Sequence, residues 1–189
     1  MTPGYNVVNG ALYYVDPVTA DFVRSRTIEN HYFAYDGKYT TGNQHLDDLV
    51  RGVTRTATTS QMTQHQMLRA LFNYEVLHNT YLKRDLLEVG QTGWEEAYAV
   101  PFFENGKGNC YSFAAAFYYL AKNIGYDPKT VSGLVGHNRR PHGWVEIQLD
   151  GAARIYDTEL TMAKRAAGNS GIDLFEMTYE NAVYVYAKS

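Results

Sequence analysis

The chain has 189 residues, 17 Lys and Arg against 20 Asp and Glu, a formal net charge of -3 and 45% hydrophobic residues. That composition describes a globular fold with one sizeable core; it lacks the basic patch of a nucleic-acid binder, and no apolar run approaches the ~18 residues of a membrane span. A single cysteine, Cys110, excludes an internal disulfide framework.

The N-terminal stretch is rich in Tyr, Gly, Asn and Asp, with short aromatic runs between turn signals. Leu12-Tyr13-Tyr14-Val15-Asp16-Pro17 is echoed by His31-Tyr32-Phe33-Ala34-Tyr35-Asp36-Gly37, Tyr13 aligning with Tyr32. Each unit reads as a short β-hairpin whose aromatic face cannot be buried alone. With Asn9-Gly10, Asp36-Gly37-Lys38 and Thr41-Gly42, these residues resemble the choline- or glucan-binding repeats of Gram-positive surface proteins. Ser25-Arg26 stands where those repeats carry Gly-Trp. The resemblance implies contact of residues 1–43 with a cell-wall polymer and a secreted or cell-surface location. Met1-Thr2-Pro3-Gly4 itself lacks the basic and apolar regions of a signal peptide. The alternative is a degenerate hairpin appendage with no ligand.

From Gln44 the texture changes, and residues 44–189 are expected to form the main domain. Leu46, Leu49, Val50 and Val53 predict a short helix, followed by a polar connector from Thr54 to Ser60. Thr63 and Gln66 fit a capping box, and Met67, Leu68, Leu71, Phe72 and Val76 give the next helix its apolar face. His65 and His78 fall on that helix's solvated or half-buried surface, without a metal pairing. Trp94 to Ala99 predicts the start of another short helix.

Gly106-Lys107-Gly108-Asn109-Cys110 then brings the cysteine to a helix start, with Asn109 as cap. Phe113, Ala116, Phe117, Leu120, Ala121 and Ile124 form the apolar stripe, and Gly125 supplies the stop. Free N–H groups and the positive end of the helix dipole favour a negatively charged sulfur there. Taken alone, however, a lone cysteine is more often a small buried hydrophobe.

Thr130 to Val135 reads as a strand, and His137 to Pro141 as a basic loop. His142 to Leu149 alternates as a second strand, Asp150-Gly151 signals a two-residue hairpin, and Ala152 to Asp157 returns. That register sets Asp157 opposite Trp144 and diagonal to His142, about 7 Å away at Cα, within reach of a carboxylate for an imidazole. A thiolate that attacks a carbonyl needs a base that can also protonate the leaving amine, and an acid that orients it. His137 is a weaker base candidate, since its loop offers no carboxylate. Asn181 to Ala187 reads as a final strand with Val183 and Val185 on one face.

Gly-Lys-Gly-Asn-Cys110, His142-Gly-Trp-Val-Glu and Tyr156-Asp157 resemble the transglutaminase-like superfamily, with Gly143 where its bacterial members often have Ala. The resemblance implies an α+β, papain-like core: helices on an antiparallel sheet, with the nucleophile at a helix N-terminus. It further implies a catalytic triad of Cys110, His142 and Asp157, with the Cys110 N–H as one oxyanion donor. The second donor would be Tyr81, with Trp94 and Gln91 as the other candidates. Trp144, Asn109, His137 and Arg139 are candidates for lining the substrate cleft, Arg139 with Arg140 for an acidic substrate. The expected activity is a secreted cysteine peptidase or amidase acting on protein or peptide substrates, peptidoglycan peptides included. The alternatives are a transglutaminase cross-linking surface proteins and a non-catalytic adhesion module. No acidic loop has calcium-ligand spacing, so neither metal nor cofactor is expected.

Overall fold

The structure, a computed structural model, describes residues 1–188. Its contacts divide the chain into two compact units, one of residues 1–71 and 119–127 and one of the remainder.

In the first unit, β1 (Gly4–Val8) and β2 (Ala11–Val15) form an antiparallel hairpin. Its turn, Asn9-Gly10, has both φ values positive (50° and 79°), the geometry that matches strand twist. Only glycine fits at the second position, because a Cβ on Gly10 would lie 2.3 Å from the Arg51 carbonyl oxygen. β3 (Arg26–Ile28) and β4 (His31–Phe33) make a second hairpin. Leu12, Val23, Phe33 and Tyr39 form a buried cluster against which Tyr5 and Tyr14 pack, their rings edge-on at 5.0 Å. The repeated aromatic runs therefore form two hairpins that share one small core.

Helix α1 (Gln44–Ala57) starts at Asn43, whose side chain accepts from the Leu46 N–H. It runs through Thr54–Ala57, where the sequence predicts a polar connector. Thr54 is buried and fully satisfied: its hydroxyl donates to the Val50 carbonyl at 2.9 Å and accepts from Asn123 Nδ2 at 2.9 Å. Tertiary packing thus overrides the low helix propensity of threonine. Helix α2 (Gln64–His78) begins with the predicted capping box, Thr63 N–H to Gln66 Oε1 at 2.8 Å and Gln66 N–H to Thr63 Oγ1 at 3.2 Å.

The second unit is built on a four-stranded antiparallel sheet. Its order is β10 (Tyr186–Ala187), β7 (Pro128–Val135), β8 (Arg140–Leu149), β9 (Ala152–Tyr156). The Asp150-Gly151 turn has φ of 52° and 78°, and Leu149 pairs with Ala152, as the hairpin signal predicts. Arg140 and Pro141, predicted as loop, are the first two residues of β8. At the sheet edge Val183 and Val185 are exposed, whereas Tyr186 is buried and packs edge-on against Trp144 at 5.1 Å. The strand expected over 181–187 is thus confined to Tyr186–Ala187, and both valines lie outside it.

Helix α3 (Glu95–Asn105) ends at Gly106, which adopts the left-handed conformation and donates its N–H to the Phe102 carbonyl. The chain then forms β6 (Lys107–Gly108), parallel to β5 (Thr80–Tyr81), and enters α4 (Cys110–Lys122). The first two turns of α4 are fully buried, with Phe117 edge-on to Phe72 at 5.7 Å and 5.6 Å from Tyr156. A last helix, α5 (Thr158–Ala166), follows β9 directly. The architecture is α+β, helices with antiparallel strands, and no described helix is long and apolar enough to cross a membrane.

Candidate active site

Cys110 is the first residue of α4, held there by Asn109, whose side-chain oxygen accepts from the Ser112 N–H at 3.2 Å. Before it, Gly108 must be glycine: a Cβ would lie 2.2 Å from Ser112 Cβ and 2.8 Å from Phe102 Cδ2. The glycine step thus lets the chain enter the helix against its own third residue. The Cys110 N–H, in the first turn, has no acceptor within the helix.

His142 lies on β8 and is 4% exposed; its Nε2 sits 2.7 Å from Asp157 Oδ2. Asp157 ends the returning strand and is the N-cap of α5, its Oδ1 accepting from the Leu160 N–H at 2.9 Å. Tyr186 also donates to Asp157 Oδ2 at 2.7 Å. Burial opposes charge on His142. The Asp157 carboxylate, and hydrogen bonds with Asp157 and the Cys110 thiol, outweigh it and hold the imidazole well above its ordinary pKa. With Nε2 committed to the carboxylate, Nδ1 is the ring nitrogen left for Cys110. Burial and the Asp157 charge raise the Tyr186 phenol, so it remains a neutral donor. The hairpin register predicted from Asp150-Gly151 therefore does bring His142 and Asp157 into contact, with Cys110 beside them.

These groups open into a cleft of about 710 Å³ lined by, among others, Tyr81, Cys110, Arg140, His142, Glu159 and Met162. Tyr81 is half exposed, and its place is set by the β5–β6 pairing, which puts it opposite Gly108. Burial and then the Cys110 charge push its phenol pKa up.

The other oxyanion and cleft candidates lie away from this wall. Trp94 is buried and its indole N–H is spent on the Gln91 carbonyl at 2.9 Å. Gln91 is exposed, its side-chain oxygen accepting from the Glu88 N–H. Asn109 is buried as the cap of α4 and donates to the Asp85 carbonyl at 3.2 Å. Trp144 is fully buried beneath the site, its ring stacked 6.4 Å from His142. His137 and Arg139 stay on the exposed tip of the β7–β8 turn, Arg139 with φ of 50°. Arg140, one residue on, lines the cleft instead, as does Lys164. Gly143 packs on Tyr111; a Cβ would lie 2.6 Å from its ring.

Two residues of the site have no forecast in the sequence reading. Tyr186 opens the two-residue β10, and the exposed valines that precede it dominate the local pattern. Glu159 belongs to α5; the signal for it was Asp157 as an N-cap with an acidic residue in the first turn. Glu159 is 8% exposed, and its Oε2 lies 4.0 Å from His142 Nδ1. Burial and the neighbouring Asp157 charge push its pKa up to about 7, against the pull of His142, Arg140 and Lys164.

His142, Asp157 and Glu159 each bring one donor atom within 4.8 Å of the others. His142 Nε2 and both Asp157 oxygens are already engaged in hydrogen bonds, so the trio is a poor site for a metal ion. In chemical terms, a thiol at a helix start beside a carboxylate-held imidazole can form and release a thioester.

A family model described as the transglutaminase-like superfamily matches residues 47–154, a stretch containing Cys110 and His142 and ending just before Asp157. Among solved structures, one described as a TGase is similar at 18% identity and a TM-score of 0.45, over 60% of this chain and 31% of its own. A proposed cysteine protease from Cytophaga hutchinsonii is similar at 14% identity and a TM-score of 0.45, over 76% of this chain and 47% of its own. The chain thus spans about a third and about half of those two proteins. No curated protein matches the sequence.

Proposed function

Because the chain belongs to the transglutaminase-like superfamily, we propose that it is a thiol-dependent acyl-transfer enzyme, a cysteine peptidase or amidase. The observation that carries this reading is the buried line Asp157–His142–Cys110 on the wall of an open cleft. His142 takes the proton of the Cys110 thiol at Nδ1, and the sulfur attacks the acyl carbon of an amide. The resulting oxyanion faces the Cys110 N–H, with the Tyr81 hydroxyl as second donor. His142 then protonates the leaving amine, and water resolves the thioester. Asp157, fixed by its cap bond and by Tyr186, holds the imidazole in the tautomer with Nε2 protonated. A protein or peptide is the substrate class, peptidoglycan peptides among them.

Two further elements complete the proposal. Residues 1–43 act as an appendage that contacts a cell-wall polymer, supported by Tyr32 and Tyr35, 46% and 85% exposed on the second repeat. Secretion to the cell surface follows from that role. Retention of the chain on purified cell wall, lost on Tyr32→Ala with Tyr35→Ala, supports this part; no retention overturns it.

The acyl-transfer reading is tested with p-nitrophenyl acetate, an acyl donor that needs no specific recognition. A burst of nitrophenol with an acetyl group on Cys110 by mass spectrometry is expected, lost in Cys110→Ser and in His142→Ala. Acetylation scattered over lysines with Cys110 unmodified would refute it, and would favour a non-catalytic adhesion module.

A further inference from the structure

Among the described residues, Glu159 is the one carboxylate lining the cleft, and the proposed thioester chemistry leaves it without a task. Its residue is less than one-tenth exposed, yet it lines the same cleft as Cys110 and His142. Among the described residues no hydrogen-bond donor reaches its carboxyl, and no cation other than His142 comes within 4.0 Å. The Lys164 ammonium instead lies over the Tyr184 ring at 5.3 Å, and Arg140 is exposed at the rim. Its oxygens open to the cleft and meet no donor among the described residues, so a cation that enters the cleft can reach them.

The position of that ligand follows from the geometry. His142 Nε2 is held by Asp157, so the nitrogen that handles protons at the acyl carbon is Nδ1. An amine leaving or attacking that carbon sits against Nδ1, and Glu159 Oε2 is 4.0 Å from the same atom. A nitrogen bridging the two would lie at hydrogen-bond distance from both. Water at that point gains no ionic partner, whereas an ammonium does.

We propose that Glu159 is a specificity residue for the amine partner of the reaction, binding a cationic primary amine beside His142 and directing the acyl group to it in preference to water. This rests on the acyl-transfer reading above and moves it toward transamidation. The protons balance. The bound R–NH3⁺ gives one proton to the Glu159 carboxylate. The free amine attacks the thioester carbon, the C–S bond breaks, and the nitrogen passes its second proton to His142 Nδ1. The products are the amide, a Cys110 thiolate paired with imidazolium, and a neutral Glu159 carboxyl. Burial, the main cause of the carboxyl's raised pKa of about 7, makes it a better proton acceptor than an ordinary glutamate. Besides His142 and Asp157, the titratable groups whose charge reaches Glu159 are Arg140, Lys164, Tyr81 and Tyr186.

The test measures how acetyl-Cys110, formed from p-nitrophenyl acetate, partitions between water and an added amine at about pH 8, where an alkylamine is cationic and hydroxylamine is neutral. In the wild type monodansylcadaverine is expected to compete with water. Glu159→Gln, which keeps the shape, should lower the aminolysis-to-hydrolysis ratio about tenfold or more, the worth of one charge-assisted contact. The hydroxylamine ratio should stay within about twofold, and Glu159→Asp, which keeps the charge, should retain most of the cationic preference. Equal loss for both amines would mean that Glu159 acts only through His142, and would overturn the proposal. So would an unchanged ratio, or a wild type that ignores the cationic amine while still turning over ester. If Cys110 is never acetylated, the acyl-transfer reading falls, and this proposal with it.

Discussion

Asp157 carries two loads that a pair of substitutions can separate. Its Oδ1 caps α5 through the Leu160 N–H, and its Oδ2 accepts from His142 and Tyr186, each at 2.7 Å. Asp157→Ala removes the cap, worth about 1 kcal/mol, and leaves two buried donors without a partner, about 1–3 kcal/mol each. The sum is about 3–7 kcal/mol, or a fall in Tm of roughly 6–28 °C for a chain of this size. Asp157→Ser keeps an oxygen for the Leu160 N–H but cannot reach His142 or Tyr186. It should melt about 2–4 °C above Asp157→Ala while losing as much acyl turnover. Circular dichroism melts and the p-nitrophenyl acetate burst read the two loads. Equal melting of both variants would refute the capping role. A Tm within about 1 °C of wild type for Asp157→Ala would refute the whole network, since about 3 kcal/mol is the least it should cost.

Three further outcomes follow from other contacts. Glu75 is fully buried, and that burial raises its pKa well above normal against the opposing pull of the Thr158 side chain. A carboxyl raised on folding stabilises below its unfolded value of about 4.3 and loses that contribution as pH climbs toward the folded value. Glu75→Gln should therefore gain stability over wild type as pH rises from about 4.3 to 8, seen as diverging Tm values; parallel curves would contradict this. Gly143→Ala forces a methyl to within 2.6 Å of the Tyr111 ring and should cost about 1–3 kcal/mol in urea unfolding, with no loss counting against the packing. Tyr81→Phe should cut ester turnover about 100-fold if its hydroxyl is the second oxyanion donor, with KM little changed.

What could be read in the sequence was what rests on local chemistry. The capping box at Thr63, the Asp150-Gly151 turn and the glycine entry to α4 each depend on a few adjacent residues, and together they fix the His142–Asp157 register and the place of Cys110. What escaped the sequence depends on distant neighbours. Thr54 stays helical because Asn123 reaches it from far along the chain, and Tyr186 turns inward because Asp157 and Trp144 await it. Trp94 has the right chemistry for an oxyanion hole and Asn109 for a cleft wall, but the Gln91 and Asp85 carbonyls claim their N–H groups. Glu159 lay hidden because its helix is short and starts on a residue already assigned another role.

The central claim is that His142 activates Cys110. The most direct measurement is the rate of Cys110 alkylation by iodoacetamide between about pH 6 and 8, in wild type and in His142→Ala. Because the imidazole is held well above its ordinary pKa by Asp157 and the thiol, it remains the proton partner of Cys110 across this range. The account predicts fast labelling in wild type and a fall of about tenfold or more in the variant, the scale of a lost proton partner. Equal rates in the two proteins, at every pH, would contradict it.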